Sequence, residues 1–126
     1  MRQAEILLVE DDRDCQELAL RALRKAGYDE VAVARDGVEA LGMLFGEGGG
    51  AGMEAPSVVL LDLKLPRIDG IGVLTRIRGD ERTRRIKVFA LSCSEDPREI
   101  EVCLRLGVVA VLQKPLDPAA LRRWLS

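Results

Sequence analysis

Polar side chains able to bind metal or take part in catalysis follow four apolar runs of this 126-residue chain. They are three kinds of group: carboxylates, one hydroxyl and one amine. In chain order they are Glu10, Asp11 and Asp12, then Asp62, then Ser92, then Lys114. Ligands of an open parallel sheet bind beyond the carboxyl ends of its strands. If the four runs are strands of such a sheet, these side chains meet at one site.

Carboxylates gathered at one sheet edge repel one another. Two of them about 5 Å apart cost about 3 kcal/mol at an effective dielectric of 20. Glu10, Asp11 and Asp62 therefore need a cation or a raised pKa. Lys114 supplies one positive charge, and a site of hard oxygen ligands suits Mg²⁺ together with a phosphate. These residues predict metal-assisted phosphoryl handling with a carboxylate as the candidate nucleophile.

The elements that must position these groups are five short apolar runs that alternate with helical patterns. The predicted strands cover residues 6–9, 31–34, 58–61, 86–91 and 108–112. Apolar residues at helical spacing follow each run; in the first helix they are Cys15, Leu18, Ala19, Ala22, Leu23 and Ala26. Continuous apolar strands that alternate with helices predict an α/β fold, with a parallel sheet covered by helices on both faces.

Capping residues indicate where the helices begin and end. Asp36, with Glu39 three residues later, starts the second helix, and Asp96 followed by Pro97 starts the fourth. Gly27 ends the first helix. The inner face of the fourth helix is predicted to consist of Ile100, Cys103 and Leu104.

The absence of histidine excludes several classes of function. Ser-His-Asp and Cys-His catalysis, His-ligated zinc and haem, and imidazole acid–base chemistry all need that side chain. The net charge of −2 does not favour nucleic acid or an anionic membrane as a partner. No apolar run approaches the roughly 20 residues of a membrane-spanning helix. Three cysteines without a C-x-x-C pair indicate reduced thiols and a cytoplasmic location.

Two further stretches invite a functional interpretation. The glycine-rich residues 46–52 follow a helix and lack the Gly-Lys-Ser/Thr of a phosphate loop, so they predict a flexible connection. The basic residues between Arg76 and Lys87 are interrupted by Asp80 and Glu81. A solvated face is the preferred interpretation of this basic stretch, and a contact with a kinase or another partner is the alternative.

The chain resembles the response-regulator receiver domains of two-component signalling over essentially its whole length. The motifs that carry the resemblance are ILLVEDD at 6–12, VLLDLKLPRIDG at 59–70, ALS at 90–92 and LQKP at 112–115. Ser92 follows Asp62 by 30 residues and Lys114 follows Ser92 by 22, as is typical of the family. The Glu-Asp-Asp start, the long connection after the second helix and the stretch RGDERT at 78–83 are similar to single-domain regulators that partner bacteriophytochrome kinases.

The resemblance implies a flavodoxin-like receiver fold with strand order 2-1-3-4-5. It implies one receiver domain over residues 1–126, with too few residues after Pro115 for an output domain. It also implies that Asp62 accepts a phosphoryl group from a phosphohistidine of a partner kinase. Mg²⁺ would be bound directly by Asp11 and Asp62, mostly through water by Glu10, and by the backbone carbonyl of Lys64.

The resemblance further assigns Lys114 to the phosphoryl oxygens and Ser92 to one of them after phosphorylation. It implies a cis peptide bond between Lys114 and Pro115, and a loop after the acceptor that is shaped by Pro66 and Gly70. The implied partners are a sensor histidine kinase, more narrowly a bacteriophytochrome, and an unidentified downstream protein whose contacts change on phosphorylation. A second copy of the chain, in a homodimer, is another candidate partner, whereas DNA and membranes are not expected partners.

Two positions depart from the family pattern. Val111 stands where the family usually has an aromatic residue three positions before the lysine, which puts an aromatic-gated output in question. Cys93 stands beside Ser92, where a small residue is common, and could narrow access to the phosphoryl group.

Two alternative functions remain at the level of the sequence. One is a phosphatase or phosphotransferase with an aspartyl-phosphate intermediate, which typically needs an acid two residues after the nucleophile. Lys64 occupies that position and argues against this alternative. The other is a receiver-fold scaffold that is never phosphorylated, against which the intact set of Asp11, Asp62, Ser92 and Lys114 argues. The main expectation is a non-enzymatic signalling domain.

Overall fold

A computed structural model describes residues 5–46, 56–64, 69–92 and 96–125. Strands and helices alternate in these ranges. The strands are β1 (Ile6–Val9), β2 (Val31–Ala34), β3 (Val58–Asp62), β4 (Lys87–Ser92) and β5 (Ala110–Gln113). The helices are α1 (Arg13–Lys25), α2 (Gly37–Phe45), α3 (Gly70–Gly79), α4 (Pro97–Arg105) and α5 (Pro118–Leu125). Residues 47–52 of the glycine-rich connection, Pro66 and Cys93 lie outside the described ranges.

The five strands form one parallel sheet in the order β2-β1-β3-β4-β5, which confirms the predicted fold class. The register pairs Val9 with Leu61, Asp62 with Leu91, and Ser92 with Gln113. All strands run in the same direction, so the residues at their carboxyl ends share one edge of the sheet. That edge carries the side chains singled out by the sequence.

Helices cover both faces of the sheet, as predicted. On one face, Leu8, Leu60 and Phe89 pack with Leu23 of α1 and Leu121 of α5. On the other face, the apolar side chains come from the alternate positions of the strands and from α2, α3 and α4; they include Leu7, Leu61, Val88, Leu44, Leu74 and Cys103. Burial of the strands on both faces explains why each reads as a continuous apolar run. None of the helices in the described ranges has the length and apolar character needed to cross a membrane.

An aspartate directly precedes each of the five helices, and before α5 it is Asp117, which accepts from the Ala119 N–H at 3.2 Å. Asp36 accepts a hydrogen bond from the Glu39 N–H at 2.7 Å, and Asp96 accepts one from the Arg98 N–H at 3.0 Å, so both predicted caps are present. Asp69 caps α3 in the same way. Asp12, which the sequence groups with the strand-end acids, caps α1 by accepting from the Cys15 N–H at 3.0 Å. Asp12 therefore serves helix α1 rather than the acid cluster.

Some predicted positions are wrong in detail. β5 begins at Ala110, not at Val108, and β4 is shifted one residue toward the carboxyl end. Leu104 is not on the inner face of α4, because 55% of it is exposed while Cys103 is fully buried. Leu18 of α1 is likewise half exposed. Over a nine-residue helix, several apolar stripes fit the same sequence, and packing against the sheet selects one of them.

Within the basic stretch Arg78 has a structural role, whereas the other basic residues are exposed, as a solvated face requires; these are Arg76, Arg82, Arg84, Arg85 and Lys87. Arg78 donates four hydrogen bonds of 2.8–2.9 Å to backbone carbonyls, those of Arg84, Ile86, Leu106 and Gly107. These carbonyls belong to the α3–β4 loop and to the turn between α4 and β5, so one guanidinium joins two connections. Burial lowers the pKa of Arg78, although the group stays charged.

Candidate functional site

Three carboxylates meet at the carboxyl edge of the sheet. One oxygen each from Glu10, Asp11 and Asp62 lies within 4.8 Å of the other two. Glu10 and Asp11 directly follow β1, and Asp62 is the last residue of β3, which pairs with β1. Glu10 and Asp62 are buried, with 1% and 5% of their surface exposed, whereas Asp11 is exposed. The structure thus brings together the acids that the sequence grouped, apart from Asp12.

Lys114 connects the acids to the end of β5. Its Nζ donates to Asp62 Oδ2 at 2.9 Å and to Glu10 Oε1 in a second, short contact. The Lys114 side chain is only 16% exposed, so these ion pairs are shielded from water. The peptide bond from Lys114 to Pro115 is cis, as the resemblance implies.

Burial and mutual contacts shift the protonation of this cluster. Burial is the largest cause that raises the pKa of Glu10, to about 7, and the neighbouring Asp62 carboxylate adds to it while Lys114 opposes it. For Lys114, burial by itself would lower the pKa, but the bonds to Glu10 and Asp62 outweigh it and raise the pKa above its usual range. Lys114 is therefore a cation at neutral pH, and the raised pKa means that Glu10 keeps a proton to higher pH than an exposed glutamate does.

Asp62 is oriented by backbone on two sides. Its Oδ1 accepts from the Lys64 N–H at 3.0 Å, which leaves Oδ2 to Lys114. Gly70 at the start of α3 donates its N–H to the Leu63 carbonyl at 3.2 Å. A Cβ at position 70 would lie 2.4 Å from the Asp62 carbonyl oxygen, so only glycine allows α3 to approach the acceptor this closely. The backbone carbonyl of Lys64 as a metal ligand stays a prediction.

Ser92 lies at the same edge, at the end of β4. It is buried, with 6% of its surface exposed, and its carbonyl accepts from the Lys114 N–H at 3.1 Å. The backbone therefore holds Ser92 and Lys114 next to each other across β4 and β5. The sequence predicted that four strands end at this edge, and the ends of β1, β3, β4 and β5 all lie there.

One contact at the site was not anticipated from the sequence. Gln16 of α1 donates from Nε2 to the backbone carbonyl of Glu10 at 2.7 Å. A glutamine near the start of an amphipathic helix does not by itself indicate a functional contact. Its only distinguishing sign is its position, four residues after the Asp12 cap and six after Glu10.

The donor set fits a hard divalent cation. All three side-chain ligands are carboxylates, two of them are buried, and their oxygens are close enough to share one ion. Such a set suits Mg²⁺ or a similar ion that also keeps waters and binds a phosphate oxygen. A buried carboxylate held by a lysine, with two further carboxylates close enough to share a cation with it, is an arrangement suited to accepting a phosphoryl group.

A parallel α/β domain with this acid cluster, a buried hydroxyl and a lysine at one sheet edge has the features of a phosphoacceptor signalling domain. The family of response regulator receiver domains matches residues 6–126, and the chain belongs to that family. Members of the family signal through phosphorylation.

Three regulatory proteins are similar to the chain over nearly its whole length. The chain is 39% identical over 123 residues to the probable methanogenesis regulatory protein FilR2 of Methanothrix harundinacea (strain 6Ac), covering 96% of this chain and 78% of that protein. The solved bacteriophytochrome response regulator RtBRR is 37% identical with a TM-score of 0.86, over 98% of this chain and 76% of that one. The Mn²⁺-bound form of the response regulator Rcp1, which is from Synechocystis sp., is 31% identical with a TM-score of 0.76, over 95% and 87% of the two chains.

Proposed function

We propose that this protein is a response regulator in which Asp62 accepts a phosphoryl group from a phosphohistidine of a partner kinase. An Asp62 carboxylate oxygen attacks the phosphorus as the P–N bond breaks. The electron pair of that bond stays on the imidazole nitrogen, which takes up a proton. The observation that carries the proposal is the buried Asp62 carboxylate, held by Lys114 and the Lys64 N–H within reach of two further acids.

The same edge supports the assignment of the metal. Glu10, Asp11, Asp62 and the backbone carbonyl of Lys64 would hold Mg²⁺, which supplies charge neutralisation for the transferring phosphoryl group. The Mn²⁺-bound form of Rcp1 supports a divalent ion in this family. Lys114 adds the protein's own positive charge beside the acceptor oxygen.

Ser92 and Lys114 would carry the signal away from the site. Phosphorylation adds about −1.5 to −2 charges and three strong acceptor oxygens to Asp62. The Ser92 hydroxyl can donate to one of these oxygens, and Lys114 can follow the new charge. Ser92 ends β4 and Lys114 follows β5, the strands that precede α4 and α5, so movement of these two residues would alter the surface there and change protein–protein contacts.

The phosphohistidine cannot come from these 126 residues, because they contain no histidine. A sensor histidine kinase is the partner that the family implies, and the similarity to RtBRR supports a kinase of the bacteriophytochrome type. The free thiols of Cys15 and Cys103 support a cytoplasmic location. The proposal also includes the partners that would bind the altered surface, which are a downstream protein and a second copy of this chain.

Incubation with acetyl phosphate and Mg²⁺, followed by intact mass measurement, tests the acceptor. We expect one added phosphoryl group in the wild-type protein, none in Asp62→Asn, and none without the metal. Asp29→Asn, which neutralises an exposed acid away from the cluster, is the matched control and should accept the group normally. If neither acetyl phosphate nor a cognate phosphorylated kinase transfers the group, the proposal is wrong.

A further inference from the structure

We propose that Gln16 is a positioning residue, which fixes the peptide between Glu10 and Asp11 and through it the metal-binding carboxylates. This inference rests on the metal site of the proposed function. It concerns a residue outside the set of acids, lysine and hydroxyl described above.

Helix geometry explains how Gln16 reaches this peptide. Side chains of an α-helix lean toward its amino terminus, so a residue in the first turns of α1 extends back over the β1–α1 turn. The Gln16 amide meets the Glu10 carbonyl oxygen at 2.7 Å. A carbonyl oxygen only accepts, so the amide nitrogen of Gln16 has to be the atom that faces it.

The rest of the Glu10 residue is also held. Its N–H donates to the Ala34 carbonyl at 3.0 Å, and its carboxylate accepts from the Asp12 N–H at 3.3 Å and from Lys114. The Gln16 bond secures the remaining polar group of Glu10, its carbonyl. With that bond present, the peptide plane that begins at this carbonyl has one orientation.

Asp11 depends on this peptide more than Glu10 does. Its carboxylate is exposed, and among the described residues no hydrogen bond or ion pair holds it. Its position within 4.8 Å of the Glu10 and Asp62 oxygens is therefore set by the backbone from which it projects. That backbone starts at the planar unit whose oxygen Gln16 binds, so freeing the carbonyl would allow Asp11 to leave the cluster.

The test is Mg²⁺ affinity, measured by isothermal titration calorimetry on the full chain. Gln16→Met keeps the length of the side chain and removes the donor, and we expect about tenfold weaker Mg²⁺ binding, the lower end of the cost of losing an outer-shell partner. Thr75→Val is the matched control, since it removes a side-chain bond to a backbone carbonyl, that of Ile71 at 2.8 Å, in a different helix. It should bind Mg²⁺ like the wild type.

A second readout separates positioning from general stability. In phosphorylation by acetyl phosphate, we expect the Mg²⁺ concentration for half-maximal rate to rise in Gln16→Met, while the rate at saturating Mg²⁺ stays near that of the wild type. Gln16→Asn, whose amide is one methylene too short, should show the same pattern and serves if the methionine variant folds poorly.

The outcomes are distinguishable. Equal Mg²⁺ affinity in Gln16→Met, Gln16→Asn and the wild type overturns the positioning role, as does a lowered rate at saturating Mg²⁺ with unchanged affinity. If the wild-type protein itself binds no Mg²⁺, the metal part of the proposed function fails, and this inference fails with it.

Discussion

Lys114 and Asp62 form a shielded ion pair across the carboxyl edge of the sheet, with Nζ 2.9 Å from Oδ2 and side chains that are 16% and 7% exposed. The pair joins β5 to β3, two strands that are not neighbours in the sheet. Phosphorylation of Asp62 would convert its carboxylate into an acyl phosphate, which carries more oxygens and more negative charge. The contact between Lys114 and Asp62 would therefore change when Asp62 is phosphorylated.

Lys114→Ala should separate acceptance of the phosphoryl group from the response to it. We expect Asp62 still to be phosphorylated by acetyl phosphate, because the acids remain. The change in amide hydrogen exchange of residues 110–117 on phosphorylation, expected in the wild type, should be lost. Lys25→Ala, an exposed lysine of α1, should respond like the wild type. An unchanged exchange response in Lys114→Ala would contradict this role of the lysine.

The sequence was sufficient for the fold and for most of the site, because both depend on strands. Each strand contains a continuous apolar run, and the polar residues that follow this run mark the edge where the site lies. Glu10, Asp62 and Lys114 could be located in this way without any knowledge of side-chain contacts.

Contacts between a side chain and distant backbone could not be predicted. Gln16 and Arg78 bind carbonyl oxygens, which every residue carries, so no residue type in the sequence marks their partners. The prediction of the inner face of α4 was wrong for another reason. Cys103 and Leu104 are both apolar and adjacent, and only the packing against the sheet decides between them.

Gly70→Ala should destabilise the protein and disturb the acceptor. The added Cβ would lie 2.4 Å from the Asp62 carbonyl oxygen and 2.6 Å from the Leu63 Cα, both backbone atoms that cannot move aside freely. We expect a loss of about 1–3 kcal/mol in the free energy of unfolding, measured in urea. Gly79→Ala, in the same helix with no atom within 4 Å of the new Cβ, should be neutral or slightly stabilising. Equal stability of the two variants would refute the close approach.

Arg78→Met should reduce stability by removing donors while it preserves most of the side-chain volume. Four backbone carbonyls would lose their charged partner, and two of the four hydrogen bonds are partly buried. We expect a decrease of about 2–3 kcal/mol in the free energy of unfolding. Arg85→Met, an exposed arginine of the same basic stretch, should change it by less than about 0.5 kcal/mol. A solvated-face role for the whole basic stretch requires the two variants to behave alike.

The raised pKa of Glu10 predicts how stability and Mg²⁺ binding depend on pH. In the metal-free protein the folded pKa is about 7, against an ordinary value of 4.5, so the fold binds the proton more strongly than the unfolded chain does. The stabilisation is complete below about pH 4.5 and is lost as the pH rises through 7. We therefore expect the Tm without metal to fall between pH 5.5 and 8 in the wild type, and to be flatter in Glu10→Gln.

Mg²⁺ competes with this proton, so the increase in Tm on addition of Mg²⁺ should be larger at pH 8 than at pH 6. Glu17→Gln, which neutralises an exposed acid of α1, should keep the pH profile of the wild type and serves as the control. Differential scanning calorimetry with and without Mg²⁺ measures both effects. A metal-dependent increase that is equal at the two pH values would mean that Glu10 does not exchange a proton for the metal, and that the carboxylate is already ionised in the metal-free protein.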